Sequence, residues 1–438
     1  MISERRIPAQ TRSIARSTAL KARAARRIPT LAQTFSKAPT QFVQGVAPVY
    51  LERGAGSHVW DVDGNEYIDY PMALGPVILG HNEPAVIEAA VARLQRGIAF
   101  SLPHPLELEL TERLCHLIPC AEMARFGKNG SDATSGAVRA ARAFTGRDII
   151  ACCGYHGWQD WFIGTTTRSR GVPQAVADLT KPFAYNDLAS LERIFDEHPG
   201  QVAGVIMEPV GVVEPQPGFL EGVRELAHRH GALLIFDEVV TGFRLDLGGA
   251  QARYGVTPDL ACFGKAMGNG FPISAVVGRA EVMAIFDEIF FSFTFGGDVL
   301  ALSAALAVIG VMEDEPVIPH LWRQGAALRA GYNAIAADFG LAELTECVGL
   351  APRTVLTFKD EQGGESLVYK SLFQQECLKR GVLFSGGQNL CYRHDDDDIN
   401  RTLEVYREAM AILADAVEAG DALGRLEGPV VEPVFRRA

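Results

Sequence analysis

Short, uniformly apolar runs alternate with helical patterns through the middle of the chain. DIIACCG (148–154), VAGVIME (202–208), ALLIFDE (232–238), LACFG (260–264) and ISAVVG (273–278) each read as a buried strand. Between several of them lie amphipathic stretches such as FLEGVRELAHRHG (219–231). Strands without a polar face, joined by helical crossovers, predict a mostly parallel sheet covered on both sides. Ligands of such sheets sit at the carboxyl ends of the strands.

The two ends of the chain differ from the middle. VYLERGAGSHVWDVDGNEYIDY (49–70) alternates like a half-buried sheet, with a turn at Asp63-Gly64. From about Leu341 a helix, the strand-like TVLTFKD and a closing helix follow; the acidic HDDDD (394–398) suits that last helix's first turn. The expected fold class is therefore α/β. A large, mostly parallel-sheet domain spans residues 81–329, and a smaller α+β domain is built from 40–80 and 330–438. Residues 1–39 form an Arg-rich arm.

At 438 residues the chain is too long for one simple core. A hydrophobic share of 48% and a charged share of 21% are ordinary for a globular protein. The net charge of −12 gives no general field for nucleic acid. The basic arm carries a single acid, Glu4, and lacks the apolar run of a secretory signal, so a partly ordered arm or a docked helix is favoured over a presequence. Eight cysteines without C-x-x-C spacing make neither a disulfide framework nor a zinc site, and they suit free thiols in a reducing cytoplasm. No run approaches the roughly 18 apolar residues of a membrane span.

Four places carry candidate chemistry. Asp237 falls at the end of a buried strand, where a carboxylate is costly unless a cation or donor meets it; a helix cap or structural pair would also satisfy it. FGKNGSDATSGAVRAAR (126–142) is a loop entering an Ala-rich helix, so the N–H groups around Gly130 and Ser131 make either an anion site or an ordinary N-cap. CCGYHGWQDW (152–161) places Tyr155, His156, Trp158 and Trp161 after a strand end. One aromatic there could stack on a flat ring. Taken alone, the cluster reads as surface aromatics and His156 as a structural residue. In ACFGKAMGNG (261–270), Lys265 stands among apolar and small residues, which should lower its pKa and make it a nucleophile for a carbonyl, unless it snorkels. Together the four features match a phosphorylated aromatic aldehyde with a positively charged ring nitrogen, which is pyridoxal phosphate.

The chain also resembles the class III (fold type I) pyridoxal-phosphate aminotransferases, in the branch of glutamate-1-semialdehyde aminomutase. The resemblance covers roughly residues 40–415 and is carried by YLERGAGSHVWDVDGNEYIDY, ILGHNEPAV, KNGSDAT, RAFTGRD, YNDLASL, MEPV, GALLIFDEVVTGFR, GVTPDL and FGKAMGNG. It implies that Lys265 holds the cofactor as a Schiff base and shuttles a proton, and that Asp237 pairs with the ring nitrogen. It implies that Val239 and Tyr155 cover the two ring faces and that Gly130 and Ser131 bind the phosphate. Glu208 matches a family acid near the cofactor. Thr294 matches a threonine that reaches the phosphate from a neighbouring subunit, which implies a homodimer with shared active sites. Two departures separate the chain from the aminomutase. LFSGGQNLCYRH (383–394) lacks the Phe-Glu pair of the gating segment, and PMALGP gives Ala73 and Leu74 where the aminomutase has Ser-Trp. The expected activity is ping-pong transfer from an amino acid, glutamate foremost, to a keto or aldehyde acceptor such as a sugar or natural-product intermediate. The nearest rival is the aminomutase, followed by decarboxylation or racemisation on the same fold. A nucleotide-binding α/β protein lacks its motifs here: no G-x-G-x-x-G opens a helix and no G-x-x-x-x-G-K-[ST] occurs. A non-catalytic binding protein is disfavoured by the intact lysine and acid.

Overall fold

A computed structural model describes residues 12–435. The chain divides into two compact units. One gathers residues up to Leu74, Ile78–Glu83 and the segment from Pro319 onward; the other holds Gly75–Val77 and Pro84–Ile318.

The larger unit is built on a seven-stranded sheet. Its spatial order is Met123–Gly127, Ser274–Gly278, Leu260–Phe263, Leu233–Asp237, Val202–Met207, Ile149–Cys153, Thr180–Pro182. The last five run parallel, while Ser274–Gly278 is antiparallel to both its neighbours. The five apolar runs of the sequence all lie in this sheet. Met123–Gly127 and Thr180–Pro182 occupy its two edges and are partly exposed, and so lack the continuous apolar run that marks a central strand. Helix Gly130–Thr145 lies on the sheet with an alanine face, Ala133, Ala137, Ala140 and Ala141 all fully buried. A Cβ placed on Gly204 would come within 3.3 Å of the Ala141 Cβ, so both contacts are kept small for close helix–sheet approach.

The smaller unit joins distant parts of the sequence through backbone pairing. Strands Leu51–Ala55, His58–Asp61 and Glu66–Asp69 form an antiparallel meander, and Val382–Leu383 pairs in parallel with its last strand. Thr345–Leu350, Arg353–Phe358 and Gly387–Asn389 make a second, three-stranded antiparallel sheet. The closing helix, Asp396–Ala419, begins in the acidic run, where the Asp395 side chain accepts the Asp398 N–H at 2.9 Å. Met72, Ala73 and Leu74 all take positive φ, a left-handed turn held where Asn389 Nδ2 donates to the Pro71 carbonyl at 3.1 Å.

Part of the basic arm, residues 1–11, lies outside the described residues. The rest docks on the smaller unit. Helix Ala15–Ala24 begins against the Asp63 carboxylate, which accepts the N–H of Arg16 at 2.7 Å and of Ser17 at 2.9 Å. A turn in the meander thus caps a helix 47 residues earlier. The Arg12 guanidinium lies over the Tyr67 ring, 4.8 Å from its centre.

His58 in the smaller unit bridges two acids, with Nδ1 2.8 Å from Glu66 Oε1 and Nε2 2.8 Å from Asp398 Oδ1. Both acceptors require a proton, so the ring is an imidazolium. The hydrogen bond to Asp398 leads in raising its pKa above the ordinary 6.5. A group bound more tightly to its proton when folded stabilises fully below its unfolded pKa and loses that contribution as pH rises through the folded value. The stability cost of His58→Gln is therefore expected to be full near about pH 5.5 and to shrink steadily above about pH 7. Urea midpoints of both proteins across this range measure it, and a gap that widens with pH would contradict the bridge.

Candidate functional site

The parallel strands deliver four site segments from their carboxyl ends or the turns beyond them, all within the larger unit. Leu233–Asp237 ends in an acid only 4% exposed. Side chains alternate along a strand, so the two neighbouring acids part company. Glu238, fully buried, turns to the start of helix Gly249–Tyr254, accepting from Ala250 N at 2.7 Å and Gln251 N at 2.9 Å. Burial pushes its carboxyl above the ordinary value, and these donors oppose the shift. Asp237 instead accepts the Val239 N–H with Oδ1 at 3.1 Å and meets His156 Nδ1 with Oδ2 at 2.8 Å.

His156 is 1% exposed, and its Nε2 lies 3.1 Å from the carbonyl of Cys153. A carbonyl only accepts, so Nε2 carries a proton. Nδ1 then faces a carboxylate, and one further proton must lie between ring and acid. The pair is a proton-sharing imidazole–carboxylate, packed against Trp161 and Phe162. The sequence reading of His156 as a satisfied structural residue fits this burial and these two partners, but it did not name Asp237 as one of them. The only signal was its place three residues beyond a buried strand, because its partner lies 81 residues away.

Ring-sized side chains and small residues converge around Asp237. Val239 packs on Gly130, where an added Cβ would stand 2.8 Å from Val239 Cγ1. The same valine lies 3.6 Å from where Gly264, the residue before Lys265, would carry a Cβ. Lys265 opens the short Lys265–Gly268 turn just beyond strand Leu260–Phe263, half-buried and with φ 39°. Gly157 presses on Ser131, its would-be Cβ only 2.5 Å from the Ser131 Cβ, and takes φ 105°. Only glycine combines that backbone with that contact. Thr134 Oγ1 donates to the His156 carbonyl at 2.8 Å, fixing the same turn to helix Gly130–Thr145. Tyr155 stands half exposed on it, edge-on to Phe162, and its N–H donates to Glu208 Oε2 at 3.0 Å. Burial first, then the Asp237 and Glu208 charges, push its phenol upward.

The entry to helix Gly130–Thr145 has the donors that an anion site would use. The Asp132 carboxylate folds back to accept Lys128 N at 3.0 Å and Asn129 N at 2.7 Å. Among the described residues no hydrogen bond engages the N–H of Gly130 or of Ser131. Those two donors and the positive end of a 16-residue helix face the same way by construction of the first turn, and Ser131 adds a hydroxyl there. Ser274, wholly buried, holds an Oγ with no partner beside Gly127, 2.9 Å from that glycine's Cβ position.

Asp237, Val239, Gly130, Ser131, Tyr155, Glu208 and the backbone before Lys265 are thus one connected set. Thr294 is joined to it by no hydrogen bond among the described residues. It lies exposed between Phe293 and Phe295, which are exposed as well.

The family model for class-III aminotransferases matches residues 42–389. The chain is 38% identical to the 3-aminobutyryl-CoA aminotransferase of Cloacimonas acidaminovorans, over 85% of this chain and 91% of that protein. It is 37% identical to the glutamate-1-semialdehyde 2,1-aminomutase of Syntrophobacter fumaroxidans, over 82% and 89%. Its fold is similar to that of the FumI protein of Sphingopyxis sp. MTA144, solved in its PLP internal aldimine form. That likeness has a TM-score of 0.86 and 30% identity over 92% of this chain and 98% of that one. The larger unit's sheet and the helix entry suit the same cofactor: a buried acid for a ring nitrogen, unpaired N–H donors for a phosphate and a lysine for an aldehyde.

Removing the imidazole from the proton-sharing pair strands a buried carboxylate. His156→Ala is expected to lower the stability of the cofactor-free protein by about 3–5 kcal/mol, the usual result of halving a buried pair. It should also weaken pyridoxal phosphate binding. Urea unfolding and equilibrium dialysis measure the two effects, and a variant matching the parent in both would refute the pairing.

Proposed function

Because this chain belongs to the class-III aminotransferases of fold type I and uses pyridoxal phosphate, we propose that it moves an amino group from an amino acid, glutamate foremost, to a keto or aldehyde carbon that is not the α-carbon of an ordinary amino acid. The observation that carries this reading is the junction of Asp237, Val239, Gly130 and the Gly264–Lys265 backbone. The acceptor reading is supported by the names of two relatives: 3-aminobutyryl-CoA carries its amino group beyond the α-carbon, and glutamate-1-semialdehyde offers an aldehyde carbon. A keto sugar remains within this class of acceptor.

Pyridoxal phosphate supplies the aldehyde that exchanges amino groups and the ring that accepts the electron pair released at the substrate carbon. Lys265 Nζ binds that aldehyde at rest and then takes and returns the proton at the substrate carbon. Asp237 holds the proton on the ring nitrogen, and His156 keeps Asp237 oriented toward it. Val239 and Tyr155 confine the ring between them. Gly130 N–H, Ser131 N–H and the Ser131 hydroxyl hold the phosphate and set the position of everything attached to it. The donor leaves as a keto acid before the acceptor enters, so the two half-reactions share one set of residues.

A homodimer completes this reading. Ile87, Val91 and Leu94 form an exposed stripe on helix Pro84–Leu94, and Leu102, Phe290 and Phe295 are exposed nearby in the sequence or around Thr294. Exposed apolar groups of this size mark association surfaces. A second copy covering them would bring Thr294 toward a neighbouring site. No described helix is long and apolar enough to cross a membrane, and all eight cysteines are free thiols, which favours a reducing cytoplasmic setting.

The aminomutase is the second reading, favoured by relatives of that name and opposed by the missing Phe-Glu pair in 383–394. L-Glutamate added without acceptor is expected to bleach the visible band and release one 2-oxoglutarate per site. An unchanged band with glutamate, together with turnover of glutamate-1-semialdehyde alone, would replace transamination by the aminomutase reading. Borohydride reduction followed by peptide mapping should place the cofactor mass on Lys265, and Lys265→Ala should lower kcat by about 100-fold or more. Label on another lysine would overturn the assignment.

A further inference from the structure

Glu208 follows strand Val202–Met207, and its carboxylate points across to the turn after the neighbouring strand, Ile149–Cys153. Three observations meet there. Glu208 N donates to the Cys153 carbonyl at 3.1 Å, extending the ladder between the two strands by one bond. Glu208 Oε2 accepts the Tyr155 N–H at 3.0 Å. Between them, Gly154 takes φ 104°, and a Cβ there would stand 2.6 Å from the same Oε2.

The turn from Gly154 to Gly157 has no regular structure of its own. It is pinned at its far end by Gly157 against Ser131, and in its middle by His156 on Asp237 and by Thr134 on the His156 carbonyl. Glu208 supplies the pin at its near end. An ionised carboxylate is the strongest acceptor available to a backbone N–H. Without it, Tyr155 N–H would lose that acceptor and the turn's first peptide would be held less tightly, and the half-exposed Tyr155 ring with it.

We infer that Glu208 is a positioning residue whose effect on the cofactor runs through the Tyr155 backbone, setting the plane of the ring that covers one cofactor face. The inference rests on the reading of Tyr155 as that covering residue. It assigns the MEPV acid a task distinct from contact with the cofactor.

The test is a double-mutant cycle on the holoenzyme with Glu208→Ala, Tyr155→Ala and both together. Pyridoxal phosphate dissociation constants are measured by dialysis, and the visible circular dichroism of the bound cofactor reports how the ring is held. Glu208→Ala is expected to raise the dissociation constant about tenfold or more and to reduce the dichroic band, as loss of a charge-assisted hydrogen bond would. Glu208→Gln keeps an acceptor oxygen at the same reach and should restore both readings to within about threefold, since a neutral acceptor is weaker but not absent. In the Tyr155→Ala background, Glu208→Ala should add nothing further, because the two act as one unit. Additive losses would overturn the inference alone, showing that Glu208 acts on the cofactor independently. Failure of Glu208→Gln to restore the signals would overturn it too, replacing the hydrogen bond with a requirement for charge. Tyr155→Ala leaving both readings unchanged would remove the reading of Tyr155 and the inference with it. If the alanine variant does not accumulate, Glu208→Leu, which keeps side-chain bulk but offers no acceptor, takes its place in the cycle.

Discussion

A carboxylate at the end of a fully buried strand is the constraint around which the larger unit is arranged. Asp237 cannot be ionised there without donors, and the fold provides two: a backbone N–H from Val239 and the ring of His156. Each donor brings a site wall with it. The Val239 N–H fixes the residue that packs on Gly130 and beside Gly264, and the His156 ring fixes the turn that carries Tyr155. Satisfying one buried charge thereby places the lysine turn, the helix entry and the aromatic turn relative to each other.

Glycine makes the junction close enough to matter. Gly130, Gly154 and Gly157 face Val239, Glu208 and Ser131 at distances no Cβ could share. Two of the three also need positive φ. The first-turn N–H groups of Gly130 and Ser131 have no hydrogen-bond partner among the described residues, and the Ser131 hydroxyl stands beside them, the donor set a phosphate would use. The acid at Asp132 does not spoil that field, because its carboxylate is turned back onto the preceding N–H groups.

The smaller unit follows a different logic. Its sheet is completed by Val382–Leu383 pairing with Glu66–Asp69, more than 300 residues apart in the chain, and the basic arm is fastened by Asp63 and by stacking on Tyr67. Buried His394, whose pKa burial pushes well below the ordinary value, and protonated His58 lie around the same Asp398. Of two histidines near one acid, one is thus kept neutral by exclusion from water and the other is held protonated by bridging two carboxylates.

Apolar runs without a polar face determined the five central strands, because burial on both sides leaves no other composition. The same logic marked Lys265 and Asp237, charges that stand out against apolar surroundings, and KNGSD, whose small residues suit a helix entry. The edge strands Met123–Gly127 and Thr180–Pro182 carried no such signature, since an edge strand is half wet. The partner of Asp237, the acceptor for Tyr155 N–H and the anchorage of the arm were decided only by tertiary structure. Each is a contact between residues 46 to 81 positions apart. A sequence shows that a buried carboxylate must be met; which distant side chain meets it is settled when the strands take their order in the sheet.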